Sequence, residues 1–261
     1  MQNTLFLPYQ VGKKLSLVET KCASSLSQIE DLKQEESAQF FRMFWQMLLN
    51  LMGKSNETRR LKGHVFDCDE FVCTSPLKEV TVNYHRMNLL VFFGDFEEAA
   101  NLAIRTGENY KKTCKSIFEC MIETFHRGVA LYAMARKTRK RKYRSRANKI
   151  RKTMKVWMEN GNPNVNHYFS LLTAEQAALD KDYVTTEARY RESIVLAART
   201  GHLQDAALAN ERYADFLFTD LSDTEGAKYR IEEATRLYRD WGAMAKVEIL
   251  EKSHCPLSYA L

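Results

Sequence analysis

The sequence predicts an all-α protein, built as a superhelical solenoid of helical hairpins with one long irregular connection near residues 53–79. Three observations carry this. Apolar residues recur at three- and four-residue spacing almost throughout, the signature of helices with one buried face. Breakers are scarce, with Gly 10 and Pro 4 in 261 residues. Helix-favouring Ala, Leu, Glu, Lys and Arg fill the rest. Small residues also return at a slowly drifting interval. Ala100, Ala147, Ala188 and Ala227 stand 47, 41 and 39 residues apart, as in an array of helical hairpins of the tetratricopeptide-like type. A small side chain at such a place lets two helices approach closely while longer neighbours fill the groove.

Taken in order, the periodic segments place helices at Leu15–Gln34, Glu36–Met52, Val80–Phe93, Phe96–Thr106, Lys111–Met134 and Lys140–Asn160. Further ones follow at Asn164–Leu179, Val184–Thr200, Gln204–Asp220, Thr224–Trp241 and Ala243–Ser253. Gly94-Asp95, Asp182 and Ser222 read as openings of helices. Residues 53–79 break the period with two glycines, a proline and scattered polar residues, so they read as a connection with little regular structure. Three segments result: an N-terminal helical pair with that connection over residues 1–79, a repeat array over 80–254, and a tail over 255–261.

The stretch RLYRDWGAMAKVEIL, Arg236 to Leu250, shows the punctuation at its clearest. Ile231, Ala234, Leu237, Tyr238 and Trp241 form one helical face. Gly242 then fits a helix end, where only glycine takes the left-handed conformation at little cost. Ala243, Val247 and Leu250 open a second helix at once. Tyr238 and Trp241 are placed to fill the wedge where the two helices part.

Charge is unevenly spread. Arg136 to Lys152 holds eleven Lys or Arg and no acid; set against a net charge of +6, that leaves the rest of the chain at −5. The basic arm reads as a solvated helix face docked through Tyr143, Ala147, Ile150, Met154, Trp157 and Met158. It also reads as a polyanion or nucleic-acid contact through Arg139, Lys140, Arg141, Lys142, Arg144 and Arg146, or as a nuclear address. The longest apolar stretch, FRMFWQMLLNLMG, is too short to cross a bilayer and carries Arg42 and Gln46. The N-terminus lacks the basic start and long apolar core of a signal peptide. A cytoplasmic chain with six scattered, reduced cysteines is therefore expected.

No catalytic pattern stands out. A phosphate-binding loop needs GxxxxGK[ST], and neither that nor HExxH, GxSxG or GxGxxG occurs. His64, Cys68 and Cys73, with His85 and the acids Asp67, Asp69 and Glu70, form the nearest approach to a zinc set, but the spacing fits loosely. No catalytic, cofactor or metal residue is expected. The expected function is a non-catalytic protein–protein scaffold. Its concave groove would be lined by the first helices of successive hairpins, with Tyr84, Asn88, Phe125, Tyr132, Tyr168, Asn210 and Tyr213 as candidate partner-binding residues; each of these also fits packing between repeats.

Particular residues resemble a known family. The stretches HYFSLLTAEQAAL, ARYRESIVLAARTGHLQDAALANERYADFL and AKYRIEEATRLYRDWGAMAKVEILE are similar to the helical-repeat segment of large multidomain signalling proteins. In those a serine/threonine-kinase-like domain precedes an AAA-type, signal-transducing ATPase module. A tetratricopeptide-like region follows, then commonly a GAF domain and a sensor histidine kinase. The resemblance runs from about Gln39 to Leu257. It is most specific at Tyr238, Arg239, Trp241, Gly242, Ala243, Ala245 and Lys246, then at Ala206, Ala207, Leu208, Asn210 and Glu211. It implies structural roles for Tyr238, Trp241, Gly242 and Lys246, and a coupling role between an ATPase and an output domain. The partner would be a protein or the neighbouring domains of a larger chain. Kinase, ATPase and GAF sequences are absent from these residues, so no catalytic residue carries over. An enzyme fragment active only when joined to such domains is the third reading.

Overall fold

The computed structural model describes residues 2–114 and 118–252. Among these residues the architecture is all-α. The helices are α1 (Gln2–Gln10), α2 (Leu15–Asp31), α3 (Glu35–Leu51), α4 (Pro76–Phe92), α5 (Phe96–Thr106), α6 (Asn109–Thr113) and α7 (Glu119–Thr138). They continue with α8 (Arg141–Glu159), a 3-10 turn (Pro163–Val165), α9 (Asn166–Leu179), α10 (Tyr183–Arg199), α11 (Leu203–Leu221), α12 (Thr224–Trp241) and α13 (Met244–Lys252). The described residues form no strand, only an isolated bridge between Lys62 and Asp67.

Helices adjacent in sequence pack on one another: α2 on α3, α7 on α8, α9 on α10 and α11 on α12. Longer contacts run from α7 to α4, α5 and α9, and from α13 back to α3. α7 is buried on every side from Ile122 to Ala135, as befits a helix at the centre. Gly128 permits this, since a Cβ there would run into Leu172 and Ile150. Ala100, Ala147 and Ala227 are fully buried. Ala188 is exposed instead, and Thr186 and Tyr190 take the buried face of α10.

The turns share one device. Most of the described helix ends are followed by a residue with positive φ, at Gly53, Gly94, Gly201 and Gly242 among others, but also at Lys33, Arg139, Lys181 and Ser222. Gly242, at φ +99°, ends α12 with its N–H bonded to the Tyr238 and Arg239 carbonyls. Ser222 closes α11 rather than opening α12, whose first turn is capped by Asp223 accepting from the Gly226 N–H. Asp182 caps α10 through the Thr185 N–H.

Three segments differ from the periodicity. α1 forms within MQNTLFLPYQ despite Pro8. The single helix expected over Lys111–Met134 is α6 and α7, with 115–117 outside the described residues. α7 continues past Met134 to Thr138 because Arg136, in that last turn, is fastened to α11. The connection before α4 is irregular but tied down. Gln46 and Asn50 of α3 turn inward, Gln46 accepting from the Val65 and Phe66 N–H groups and Asn50 donating to the Glu57, Thr58 and Arg60 carbonyls.

The two ends of the chain share one core, which runs from Tyr9 to Leu250. Tyr9 of α1 lies 5.6 Å from the Phe44 ring and 5.7 Å from Trp241, and its hydroxyl donates to Asn88 at 3.2 Å. Trp241 packs against Phe92 with the rings tilted and 5.4 Å apart. Gln204 donates to the Gln10 carbonyl at 2.8 Å.

Candidate functional site

A cleft of about 410 Å³ opens where the α4–α5 turn, the end of α7, α11, α12 and α13 converge. Its floor is a buried ion network. Glu175 of α9 is wholly buried and accepts from Arg212 of α11 through two contacts, 2.7 and 3.2 Å. Arg136 of α7 reaches Asp215 at 2.8 Å, Asp220 at 2.6 Å and Glu175 at 3.5 Å. Arg212 also reaches Asp215 at 3.3 Å. Two guanidinium groups are thus shared among three carboxylates, the five residues coming from three helices. Such a cluster holds together only because every charge removed from water meets a partner.

The walls extend the pattern. Glu211 accepts from the Tyr238 hydroxyl at 3.0 Å and from Lys246 at 2.6 Å. Arg212 lies over the Phe96 ring at 4.9 Å. Asp95, Glu97, Lys137 and Arg139 stand toward the mouth, and Ala133, Met134, Ile231 and Leu250 supply apolar wall. The lining has one hydroxyl, Thr219, whose single hydrogen faces both the Asp215 carbonyl at 2.6 Å and Asp220 at 3.0 Å and whose oxygen accepts from Arg136. The cleft therefore offers shape and fixed charge of both signs, with its deepest charges already neutralised.

The seven residues expected along a concave groove are all interior. Tyr84, Asn88, Phe125, Tyr132, Tyr168, Asn210 and Tyr213 are each buried. Phe125 stacks on Tyr168 at 4.2 Å, Tyr213 on Tyr190 at 5.1 Å, and Asn88 meets the Tyr9 hydroxyl. Tyr132 donates to Asn148 and Asn210 to the Ala206 carbonyl. These side chains join helix to helix and offer no face to a partner; α1 covers part of the surface that an open groove would present.

Of the basic arm, Arg139, Lys140, Arg141, Lys142, Arg144 and Arg146 are exposed. Arg144 pairs with Asp180, Lys142 lies 4.7 Å over Tyr143, and Arg146 donates to the Lys142 carbonyl. Tyr143, Ala147, Ile150 and Met154 form the buried stripe of α8. Tyr238, Trp241 and Lys246 are buried around the Gly242 turn.

The residues of the loose zinc pattern do not converge. His85 lies in the core beside Phe44, whereas His64 and Cys73 are exposed. Among the described residues only Asp67, Cys68 and Asp69 come together, and Lys62 bonds both acids while Arg60 pairs with Asp69. The five described cysteines are free. Burial pushes the Cys22 thiol up to about 12 and the Cys120 thiol to about 11, so neither is a thiolate at neutral pH.

Glu175, Arg212, Asp215 and Asp220 were not singled out by spacing. Their one trace is Glu175 itself, a lone acid in the apolar run SLLTAEQAAL. Arg136 was hidden inside the basic run although its side chain is buried. No family model, curated protein or solved structure matches the chain.

Proposed function

We propose that this chain is a non-catalytic scaffold for protein–protein interaction, a solenoid of tetratricopeptide-like hairpins whose docking site is the cleft over the Arg136–Glu175–Arg212 network. The observation that carries this is the cleft itself. Five elements meet there, and their charges are locked by one another rather than poised for proton transfer. Paired packing of neighbouring helices supports the hairpin reading. The resemblance at Tyr238, Trp241, Gly242 and Lys246 supports a coupling segment of a larger signalling ATPase or kinase. A partner segment carrying both charge signs and an apolar side chain would complement Glu97, Lys137 and Ile231.

The test is site-specific photo-crosslinking from position 97 or 137 at the mouth, with exposed position 195 as control. One defined protein crosslinked from the mouth and not from the control supports the reading. Identical patterns from all three positions count against it. Reading the coding sequence through both ends tests the coupling role separately, since continuation into a P-loop ATPase is what that role requires.

A second reading is favoured by the exposure of Arg139, Lys140, Arg141, Lys142 and Arg146. That surface would hold a polyanion, and its binding would weaken steeply as salt rises.

A further inference from the structure

A second cleft, of about 180 Å³, lies between the α5–α6 turn, α7 and α8. Four cations line it, Lys111, Arg127, Arg146 and Lys149, against one acid, Glu108. Thr124 and Thr153 add hydroxyls, and Ile104, Leu131 and Ile150 form an apolar wall.

Arg127 sets this cleft apart from a charged surface. Its side chain is only 10% exposed, it springs from the central helix, and its Nε has no hydrogen-bond partner. The carboxylate paired with it, Glu123 on the preceding turn, stands 3.7 Å away, and one oxygen of that carboxylate is itself unbonded; Glu108 lines the same cleft. Burial raises the Glu123 carboxyl to about 7, so near neutral pH it is an incomplete counter-charge. A buried guanidinium without a full partner is costly. Arg136, one helix face away, shows how the fold meets that cost when it supplies the anions internally. At Arg127 it does not.

We infer that this cleft is a binding site for a phosphomonoester group, with Arg127 as its floor and Arg146 and Lys149 as its rim. A phosphoryl group presents several acceptor oxygens and close to two negative charges, which matches a planar donor fork flanked by ammonium groups. The competing interactions are few: Lys149 reaches Glu108 only at 3.9 Å, Lys111 rests 5.7 Å above Trp157, and Arg146 donates to the Lys142 carbonyl of its own helix at 3.1 Å. The enclosed volume accepts a phosphoryl group and a few atoms beyond it, the apolar wall being placed for an ester substituent. The site shares Arg146 with the exposed arm but takes its floor from Arg127 of α7, and it stands or falls independently of the docking cleft.

Isothermal titration of the full chain with inorganic phosphate and with phenyl phosphate, in chloride buffer at matched ionic strength, tests this. A saturable one-site heat is expected. Tighter binding of phenyl phosphate assigns the site to an organic monoester, and tighter binding of inorganic phosphate assigns it to the free ion. The exposed pair R146Q/K149Q should keep its unfolding midpoint and bind roughly tenfold or more weakly. R127K, which retains charge but loses the fork, should weaken binding in the same direction; should it fail to fold, the exposed pair decides alone. No saturable heat from either phosphate overturns the inference. So does phosphate binding that is unchanged in R146Q/K149Q, and a short single-stranded oligonucleotide bound equally by that variant would then place anion binding on the exposed arm.

Discussion

Arg212 donates through Nε to Glu175 at 2.7 Å, across thirty-seven residues of chain and with both side chains sealed from water. Glu175 is the hub of this arrangement, because Arg136 approaches the same carboxylate from α7. Glu175→Gln keeps the volume and removes the charge, leaving two buried guanidinium groups over Asp215 and Asp220. Breaking a buried pair from one side costs about 3–5 kcal/mol. Denaturant unfolding should show that loss. A loss under about 1 kcal/mol would mean that water reaches the network and that the cleft floor is not fixed.

Glu123 gives the chain an unusual pH response. Its carboxyl is lifted by burial from 4.5 to about 7, with Arg127 opposing. The folded state therefore holds a proton that the unfolded state releases between those values. Stability from this group is greatest below pH 4.5, falls as pH rises toward 7 and is then constant, a change of about 3 kcal/mol. Glu123→Gln should raise the unfolding midpoint at pH 8 far more than at pH 5. Equal shifts at both pH values would show the carboxylate to be ionised and solvated throughout.

His85 and His126 act in the opposite sense. Burial lowers His85 to about 3 and His126 to about 4, the latter against the pull of Asp205, and neither ring has a hydrogen-bond partner. The unfolded chain takes up both protons from pH 6.5 downward while the folded chain resists. Stability is complete above 6.5 and drains away as pH falls, by about 3 kcal/mol for His126 and about 5 for His85 when fully expressed. Between 4.5 and 6.5 the histidines outweigh Glu123, so the native protein should be acid-sensitive. His126→Leu fills the place against Phe92 and Phe125 without a titrating ring. It should move the acid midpoint downward and leave stability at pH 8 nearly unchanged. An unmoved acid midpoint would assign acid sensitivity elsewhere.

Helix positions were legible wherever one face is apolar and the turn is marked by glycine, as at Trp241-Gly242. They were harder to read where the left-handed residue is Lys33, Arg139 or Lys181, whose side chains carry no turn signal, and at Ser222, which reads as a helix opening, because the packing of the flanking helices imposes the conformation. The Tyr84-to-Tyr213 set shows a second limit. Period identifies the inward face of a helix, but whether that face lines an open groove or a closed core depends on what lies across from it, here α1 and the neighbouring helices. The charged sites depend wholly on tertiary pairing. Arg136 and Arg127 look alike in sequence, yet one meets three carboxylates and the other a single distant and half-titrated one.

The meeting of chain ends at Tyr9 and Trp241 decides how far α1 belongs to the cooperative fold. Tyr9 is 3% exposed and touches Phe44, Trp241 and Asn88, which come from α3, α12 and α4. Tyr9→Phe removes only the hydroxyl and leaves the Asn88 oxygen without that donor, a loss of about 1 kcal/mol. Tyr9→Ala also opens a cavity beside two large rings and should cost about 3–5 kcal/mol. Trp241 fluorescence should then shift to the red as water enters, and amides of α12 near Trp241 should exchange faster, since the core they close has lost a wall. If Tyr9→Ala changed neither stability nor the exchange of α12, α1 would be a detachable cover. The part of α4 around Asn88 would then be open to a partner, and a stretch of the groove expected from periodicity would exist in the chain with α1 displaced.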